Sequence, residues 1–350
     1  MNQPIPFAVD EIMTDKAYIV GNGLADNDLF DANSTGNRDN CHDPYIQLRR
    51  LFYRRGFELN TTDVVTDQDT VRFQLHQDVQ RIIGDSPAYL LLWETSLILP
   101  QNGVVENFKR YRKIFTWRDD LVDGVKYIKI QFANPIHIHS IDGFENRDRF
   151  CCLIAGNKTL ATQDNRNLYT ERVKSIRWFE KHAPQDFDLY GVGWDMSVVH
   201  PGLLGRVERR LLKILDRFVT LCPFPSYRGK VVHKRDVLAR TRFSICYENV
   251  RDLPGYITEK IFDCFFSGCV PVYWGAANIT DQIPSDCFVD RRKFRDTAAV
   301  YVFLKAMTEL EFRGYQQRIV HFLKSDASYP FSSECFAETL VNTIVQDLGD

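Results

Sequence analysis

No stretch of this sequence is apolar for long enough to cross a bilayer as a helix. The nearest candidates, Tyr89–Trp93 and Ile261–Trp274, are too short or are interrupted by Asp263 and Pro271. The N-terminus has no basic region leading into an apolar core, so no export signal is expected. A disulfide framework is missing too. The nine cysteines are scattered and odd in number, and neither Cys151-Cys152 nor Cys264…Cys269 has zinc-site spacing. Free thiols in a reducing compartment are the expectation. Without an export signal, the glycosylation patterns at Asn33, Asn60, Asn157 and Asn278 read as chance. Charge of one sign is also absent. The formal net charge is −2, which gives no global basic field for nucleic acid or acidic membranes. Arg209-Arg210 and Arg291-Arg292-Lys293 read as solvated faces. There is no internal repeat and no low-complexity tract. Gly21-Asn22-Gly23 lacks the third glycine of a dinucleotide fingerprint, because Asp26 stands in its place.

What is present is an ordinary globular composition, 44% hydrophobic and 26% charged, over 350 residues. That length suggests two domains more readily than one. Ala17–Val20 reads as a strand, Leu24–Asp43 as a polar loop, and Pro44–Arg55 as a helix. Phe57–Leu59 returns as a strand. Val71–Ile83 is a second helix candidate, and Tyr89–Trp93 is an apolar strand that runs into Glu94. Tyr111–Thr116 and Val125–Gln131 continue the strand pattern. A second set begins with strand Phe150–Ile154, then helix Leu168–Lys181, strand Phe187–Gly191 and an amphipathic helix Val207–Thr220. Strand Cys287–Val289, one or two helices over Thr297–Leu323 and a terminal helix Phe336–Leu348 complete the chain. The division expected is an N-terminal Rossmann-like domain over 1–145, a second over 146–335, and a terminal helix over 336–350 packing back across the domains. Two such halves fit the twin-domain α/β architecture of sugar-nucleotide transferases. They fit a two-domain dehydrogenase or a periplasmic-binding-protein topology almost as well.

The densest local pattern runs from Phe243 to Gly275. Phe243–Tyr247 is a short apolar strand, and Glu248–Gly255 is a polar loop broken by Pro254 and Gly255. Thr258 reads as an N-cap with Glu259 and Lys260 in the first turn, and the helix stops at Gly268. Cys269–Trp274 is the next strand, so strand, helix and strand form a parallel crossover. The polar loop then lies at the carboxyl end of a strand, where open α/β sheets bind ligands. Lys260 can meet a phosphate there together with free first-turn amides. Glu259 can accept bonds from sugar or ribose hydroxyls, and Tyr256 can stack on a ring or donate to phosphate. A lone Glu-Lys at a helix start is usually no more than an exposed pair. It is the whole constellation that favours a site. Glu248-Asn249 weighs equally as a donor contact and as a satisfied strand-end turn.

This stretch resembles the signature of glycosyltransferase family 10, the α-1,3/1,4-fucosyltransferases. The residues that carry the likeness are Phe-Ser-Ile-Cys-Tyr-Glu-Asn, then Gly-Tyr-Ile-Thr-Glu-Lys-Ile-Phe-Asp, then Gly-Cys-Val-Pro-Val-Tyr-Trp-Gly. The loop from Asn249 to Tyr256 is a residue longer than the family pattern. The likeness covers the last third to half of the chain and only weakly the N-terminal half. It implies an α/β GT-B fold, two Rossmann-like domains facing across a cleft, with GDP-fucose as donor and inversion at the anomeric carbon. It also implies an arginine for the pyrophosphate from helix Leu168–Lys181, for which Arg172 fits best and Arg177 is the fallback. Donor-binding residues are then Arg172, Glu248, Asn249, Tyr256, Glu259 and Lys260. Tyr227-Arg-Gly229…Lys234 resembles the segment that precedes the signature and reads as donor-side. Family members place a glutamate at the end of an N-domain strand as the base, and Glu94 is the match.

No cofactor is then required and no metal is bound; a divalent cation, Mn or Mg, would at most stimulate. Arg118-Asp119-Asp120 lacks the spacing of a metal-binding Asp-x-Asp and reads as a turn. His137 and His139 read as structural or acceptor-side. The implied acceptor is an oligosaccharide or lipopolysaccharide-type glycan, fucosylated through an α-1,3/1,4 linkage to GlcNAc or a related sugar. The alternatives are a transferase of the same fold with another GDP-sugar, and a non-catalytic sugar-nucleotide or glycan-binding protein. The expected location is the cytoplasm or the inner face of a membrane.

Overall fold

A computed structural model describes residues 15–65, 70–138, 143–161, 163–196 and 223–349, with Val207 and Arg210 in addition. His139 and the body of the helix expected over Val207–Thr220 lie outside the described residues.

Two parallel sheets form the frame. The first holds β1 (Asp15–Val20), β2 (Phe57–Thr61), β3 (Val71–Gln77), β4 (Ala88–Leu92), β5 (Ile114–Thr116) and β6 (Tyr127–Lys129) in the order β2-β1-β3-β4-β5-β6. The second holds β7 (Arg149–Ile154), β8 (Phe187–Tyr190), β9 (Thr241–Tyr247), β10 (Val270–Trp274) and β11 (Val289–Asp290) in the order β11-β10-β9-β7-β8. Each order reverses direction once, between β1 and β3 and between β7 and β9. Ligands of open α/β sheets bind in the crevice at such a reversal, beyond the strands' carboxyl ends. The helices are α1 (Asp43–Arg54), α2 (Val105–Phe108), α3 (Leu168–His182), α4 (Lys234–Leu238), α5 (Glu259–Phe266), α6 (Thr297–Ala306), α7 (Glu309–Lys324) and α8 (Ser333–Leu348). Among the described residues no helix is long and apolar enough to cross a membrane.

One sequence reading is overturned. Val71–Ile83 is not a helix: Val71–Gln77 is β3, paired in parallel with β1 and β4. Its residues alternate, with Phe73 and Leu75 facing the main N-terminal core. The sequence from Val71 to His76 alternates apolar and polar residues with a period of two, and the opposite face carries Gln74 and His76, both fully buried. They are satisfied there: Gln74 Nε2 donates to Ile83 O at 2.9 Å and to Ser86 O at 3.0 Å, and His76 lies 3.0 Å from Tyr111 Oη.

Helix α8 joins the two sheets' domains. Phe336, Ala337, Leu340, Val341, Ile344 and Val345 lie in the core of the first sheet, with Leu48 and Phe52 of α1 and Phe73 and Tyr89 of the strands. Each of the larger side chains contributes about 1.5–3 kcal/mol by leaving water.

Between the domains the backbones come close at Gly255, where Asp119 N donates to Pro254 O at 3.4 Å. The φ of Gly255 is +82°, and a Cβ there would lie 2.1 Å from Trp117 O. Beside it, Gly255 N donates to Asn278 Oδ1 at 2.9 Å, and Asn278 Nδ2 donates to Asp119 Oδ2 at 2.8 Å. Asp119 of the Arg118-Asp119-Asp120 turn also pairs with Lys129 at 2.5 Å. Gly255→Ala is therefore expected to cost at least about 1–2 kcal/mol for the left-handed backbone alone, with the clash in addition. Thermal unfolding checks this, and a Tm unchanged to within about a degree would contradict the packing described.

Candidate functional site

The carboxyl ends of the two sheets enclose a cleft of about 520 Å³, lined by Trp93 and Glu94 on one side and by Tyr169, Arg172, Asn249, Tyr256, Glu259 and Lys260 on the other.

The C-terminal wall is built outward from Glu248. This residue follows β9, is fully buried, and bonds Trp274 O through its N–H at 2.8 Å. Room for it exists because position 275 is glycine, where a Cβ would lie 2.5 Å from Glu248 Cγ. Its carboxylate accepts from Thr258 N at 2.8 Å, Thr258 Oγ1 at 2.7 Å and Lys260 Nζ at 3.1 Å. Thr258 occupies the N-cap position of α5 but does not cap it with its side chain. Its hydroxyl proton goes to Glu248 instead, while its oxygen accepts from Lys260 Nζ at 2.9 Å. Desolvation works against the lysine's charge, but Glu248 and Glu259 hold its pKa above the ordinary value. Glu259, with its side chain half exposed, stands 3.6 Å from Lys260. Desolvation works upward on its carboxyl, yet Lys260 and Lys234 hold it down to about 2.

Arg172 comes from the second turn of α3. The start of that helix is fastened to the loop after β9, since Leu168 N donates to Asn249 O at 3.1 Å. The guanidinium is 3% exposed, a setting that works against its charge. Its Nη2 donates to Tyr247 O at 2.6 Å and Asn249 Oδ1 at 3.0 Å, and it lies over the Tyr169 ring at 4.9 Å. Asn249 Nδ2 reaches Tyr256 Oη at 3.4 Å. Tyr256 packs on Trp117 and Phe132 of the other domain, with ring centres 4.8 and 5.7 Å away.

Glu94 faces this wall from the end of β4. Its Oε2 is buried and, among the described residues, has no hydrogen-bond partner. Burial pushes the carboxyl above its ordinary value, and Asp78 adds to that; Lys260, the Thr95 amide and Lys158 oppose it.

The arrangement thus brings together Glu94, Arg172, Asn249, Tyr256, Glu259 and Lys260. It puts Glu248 behind the wall, where it holds Lys260 in place. Arg177 does not reach the cleft: it bonds Glu180 and Pro223 O and lies 3.9 Å over Phe224. Of the segment Tyr227–Lys234, Val231, Val232 and Lys234 line the cleft, and Lys234 pairs with Asp263 at 2.6 Å. Tyr227 bonds Gly191 O at 2.8 Å, and Arg228 pairs with Asp188 at the same distance. His137 stacks on Phe266 at 4.2 Å, in a neighbouring groove of about 1050 Å³. That groove is larger, but it shares only Asp39, Lys234 and Asp263 with the cleft and holds none of Glu94, Arg172, Asn249, Tyr256, Glu259 and Lys260. Sequence reading missed Lys158 and Tyr169, both on the cleft wall. Tyr169 lies three residues before Arg172 on α3, a spacing that places both on one helix face.

Residues 215–319 match the model described as "Glycosyltransferase family 10 (fucosyltransferase) C-term". The chain carries a family 10 glycosyltransferase segment. Within it lie β9, α5 and β10, and with them Glu248, Asn249, Tyr256, Glu259 and Lys260. The chain is 35% identical over 74 residues to an alpha-(1,3)-fucosyltransferase of Helicobacter pylori, and 31% identical over 75 residues to an alpha-(1,4)-fucosyltransferase of Arabidopsis thaliana. Each match covers 21% of this chain, and 15% and 18% of those relatives' lengths. The family 10 segment is therefore where the sequence likeness sits. The fold likeness is wider. A crystal structure of an alpha1,3-fucosyltransferase with GDP-fucose aligns over 98% of this chain and 94% of its own, with TM-score 0.53 and 12% identity. A glycosyltransferase from Rickettsia africae aligns over 96% and 99%, with TM-score 0.54 and 8% identity. The family 10 segment thus belongs to a GT-B fold of two parallel-sheet domains.

Proposed function

We propose that the protein is an inverting fucosyltransferase that moves L-fucose from GDP-fucose to a hydroxyl of a glycan acceptor. The observation that carries this reading is a Glu94 carboxyl, one oxygen of which is buried and unpartnered among the described residues, in a cleft that Lys260 and Arg172 also line. Glu94 takes the proton of the acceptor hydroxyl. The oxygen forms a bond to fucose C1 from the face opposite the phosphate. The bond from C1 to the phosphate oxygen breaks and its electron pair leaves with GDP. Arg172 and Lys260 offset the charge that develops on the leaving group. Tyr256, Asn249 and Glu259 position the donor, and Glu248 acts through Lys260. In this reading the domain over 1–145 holds the acceptor, and residues 146–335 hold the donor. The acceptor is an oligosaccharide or lipopolysaccharide-type glycan bearing GlcNAc or a related sugar. The relatives' activities and the match over 215–319 support the donor class.

A panel of GDP-fucose, GDP-mannose and other GDP-sugars, each with a screen of glycan acceptors, tests this. Transfer from GDP-fucose is the expected result. The absence of both GDP binding and turnover of any GDP-sugar would overturn the reading, and transfer from a different GDP-sugar alone would correct the donor.

The pH dependence has a definite sign. Glu94 works as a base only when ionised, and its folded pKa is raised. Activity is then full above that value and is lost as pH falls through it. The acid limb of kcat/KM against pH is expected above the ordinary glutamate range, which lies near about 4.3. A limb at or below that range would contradict the assignment.

A further inference from the structure

The proposed base is held in place by a residue to which no role has been assigned. Where the chain leaves β3, Asp78 adopts φ +61°, an uncommon conformation outside glycine. Its own N–H still donates to Leu91 O at 2.9 Å, so the ladder with β4 runs on to this point. The turn lays its side chain over the end of β4. There Oδ1 accepts three bonds of 2.8 Å, from Trp93 N, Glu94 N and Asn102 Nδ2. Asn102, 1% exposed, donates in turn to Glu94 O at 2.9 Å and accepts from Val79 N at 3.1 Å. Both backbone polar groups of Glu94 are therefore fastened by buried side chains. Asp78 is 5% exposed and, among the described residues, forms no ion pair. A buried carboxylate without a cation is costly, and it persists where hydrogen bonds hold it.

We propose that Asp78, together with Asn102, is a positioning residue for Glu94: it fixes the end of β4 so that the Glu94 carboxylate faces the cleft, and it keeps a negative charge behind that carboxylate. The proposal rests on the reading of Glu94 as the base. Its physical content has two separable parts. The hydrogen bonds fix orientation, which matters because a base must sit within hydrogen-bond reach of the proton it removes. The charge opposes ionisation of Glu94 and so makes it a stronger base. Other groups face the same carboxylate: Lys260 and Lys158 act against Asp78, while Tyr169 and Tyr256 lie nearby as neutral phenols raised by burial. Removing Asp78's charge leaves the two lysines unopposed, so Glu94 gives up its proton at lower pH.

Asp78→Asn tests the charge, because its amide oxygen can still accept the backbone bonds. Asn102→Ala tests the clamp. For Asp78→Asn, the acid limb of the pH profile for GDP-fucose turnover is expected to move to lower pH, and kcat to fall about tenfold. The KM for GDP-fucose and GDP affinity by titration calorimetry should stay within about twofold of wild type, since both lysines and Arg172 are untouched. For Asn102→Ala, kcat is expected to fall by a similar factor with the limb unmoved. A purely structural role for Asp78 would change unfolding without moving the limb. If Asp78→Asn binds GDP normally and neither rate nor limb changes, the proposal is overturned. If Asp78→Asn fails to fold, Asn102→Ala decides: wild-type kcat overturns the clamp. Glu94→Gln separates this from the parent reading. Loss of turnover in Glu94→Gln with no effect in Asp78→Asn sinks the positioning role alone, whereas full turnover in Glu94→Gln sinks the base and leaves Asp78 nothing to position.

Discussion

Glu94→Gln is expected to lower kcat for fucose transfer by about 10²–10⁴-fold, the usual contribution of a positioned general base. Glutamine keeps the shape and removes the proton acceptor. The donor wall is built wholly from other elements: Lys260 stands on Glu248 and Thr258, and Arg172 on Tyr247 and Asn249. GDP affinity should therefore be retained, and even rise slightly, because one negative charge leaves the side facing the phosphates. Steady-state kinetics with GDP-fucose and calorimetric titration with GDP measure the two quantities separately. A kcat within about threefold of wild type would remove Glu94 from the chemistry.

Lys260→Ala is expected to fail twice, in turnover and in stability. Its ammonium is proposed to meet the departing phosphate, and losing such a group costs about 10²–10³ in kcat. It also neutralises Glu248, which has no exposed surface at all. Removing one partner of a buried ion pair leaves the other charge uncompensated, at a cost of about 3–5 kcal/mol. Thr258 still donates two bonds to Glu248, which places the expected loss near the lower figure. Adding Glu248→Gln to Lys260→Ala removes the orphaned charge. The double variant should regain much of the stability in urea denaturation and none of the turnover. Were the double variant no more stable than the single, Glu248 would not be the lysine's counter-charge; were it as active as wild type, the lysine would have no part in the reaction.

How much of this was legible beforehand follows the range of the interactions. Phe243–Gly275 could be read as strand, loop, helix and strand because every signal in it is local: Pro254 and Gly255 break the loop, Gly268 ends the helix, and the two strands pair in register as neighbours. Tyr256, Glu259 and Lys260 came with it. Glu248 was visible as a strand-end carboxylate, but its burial was not. That depends on the missing Cβ at Gly275, just past the end of another strand. Glu94 could be placed at the end of an apolar strand, while its role needed the family likeness. Asp78 and Asn102 carried no signal. Asp78 fell in a segment read as a helix, and its partners lie 15, 16 and 24 residues away. Side chains that hold backbone across such distances leave no periodicity to detect.

The packing of α8 into the first sheet has a consequence for how the molecule comes into being. The N-terminal domain is not a contiguous segment, because the side chains of Phe336 to Val345 complete its core. During synthesis the strands around Phe73 and Tyr89 must wait, their apolar face uncovered by this helix, until more than two hundred further residues have been made, a count that follows from the sequence separation of Tyr89 and Phe336. The buried core around the second sheet, by contrast, draws on no residue later than Phe331. The surface exposed in the interval is the one beside which Glu94 will eventually sit, so the cleft is finished by the last helix of the chain to arrive.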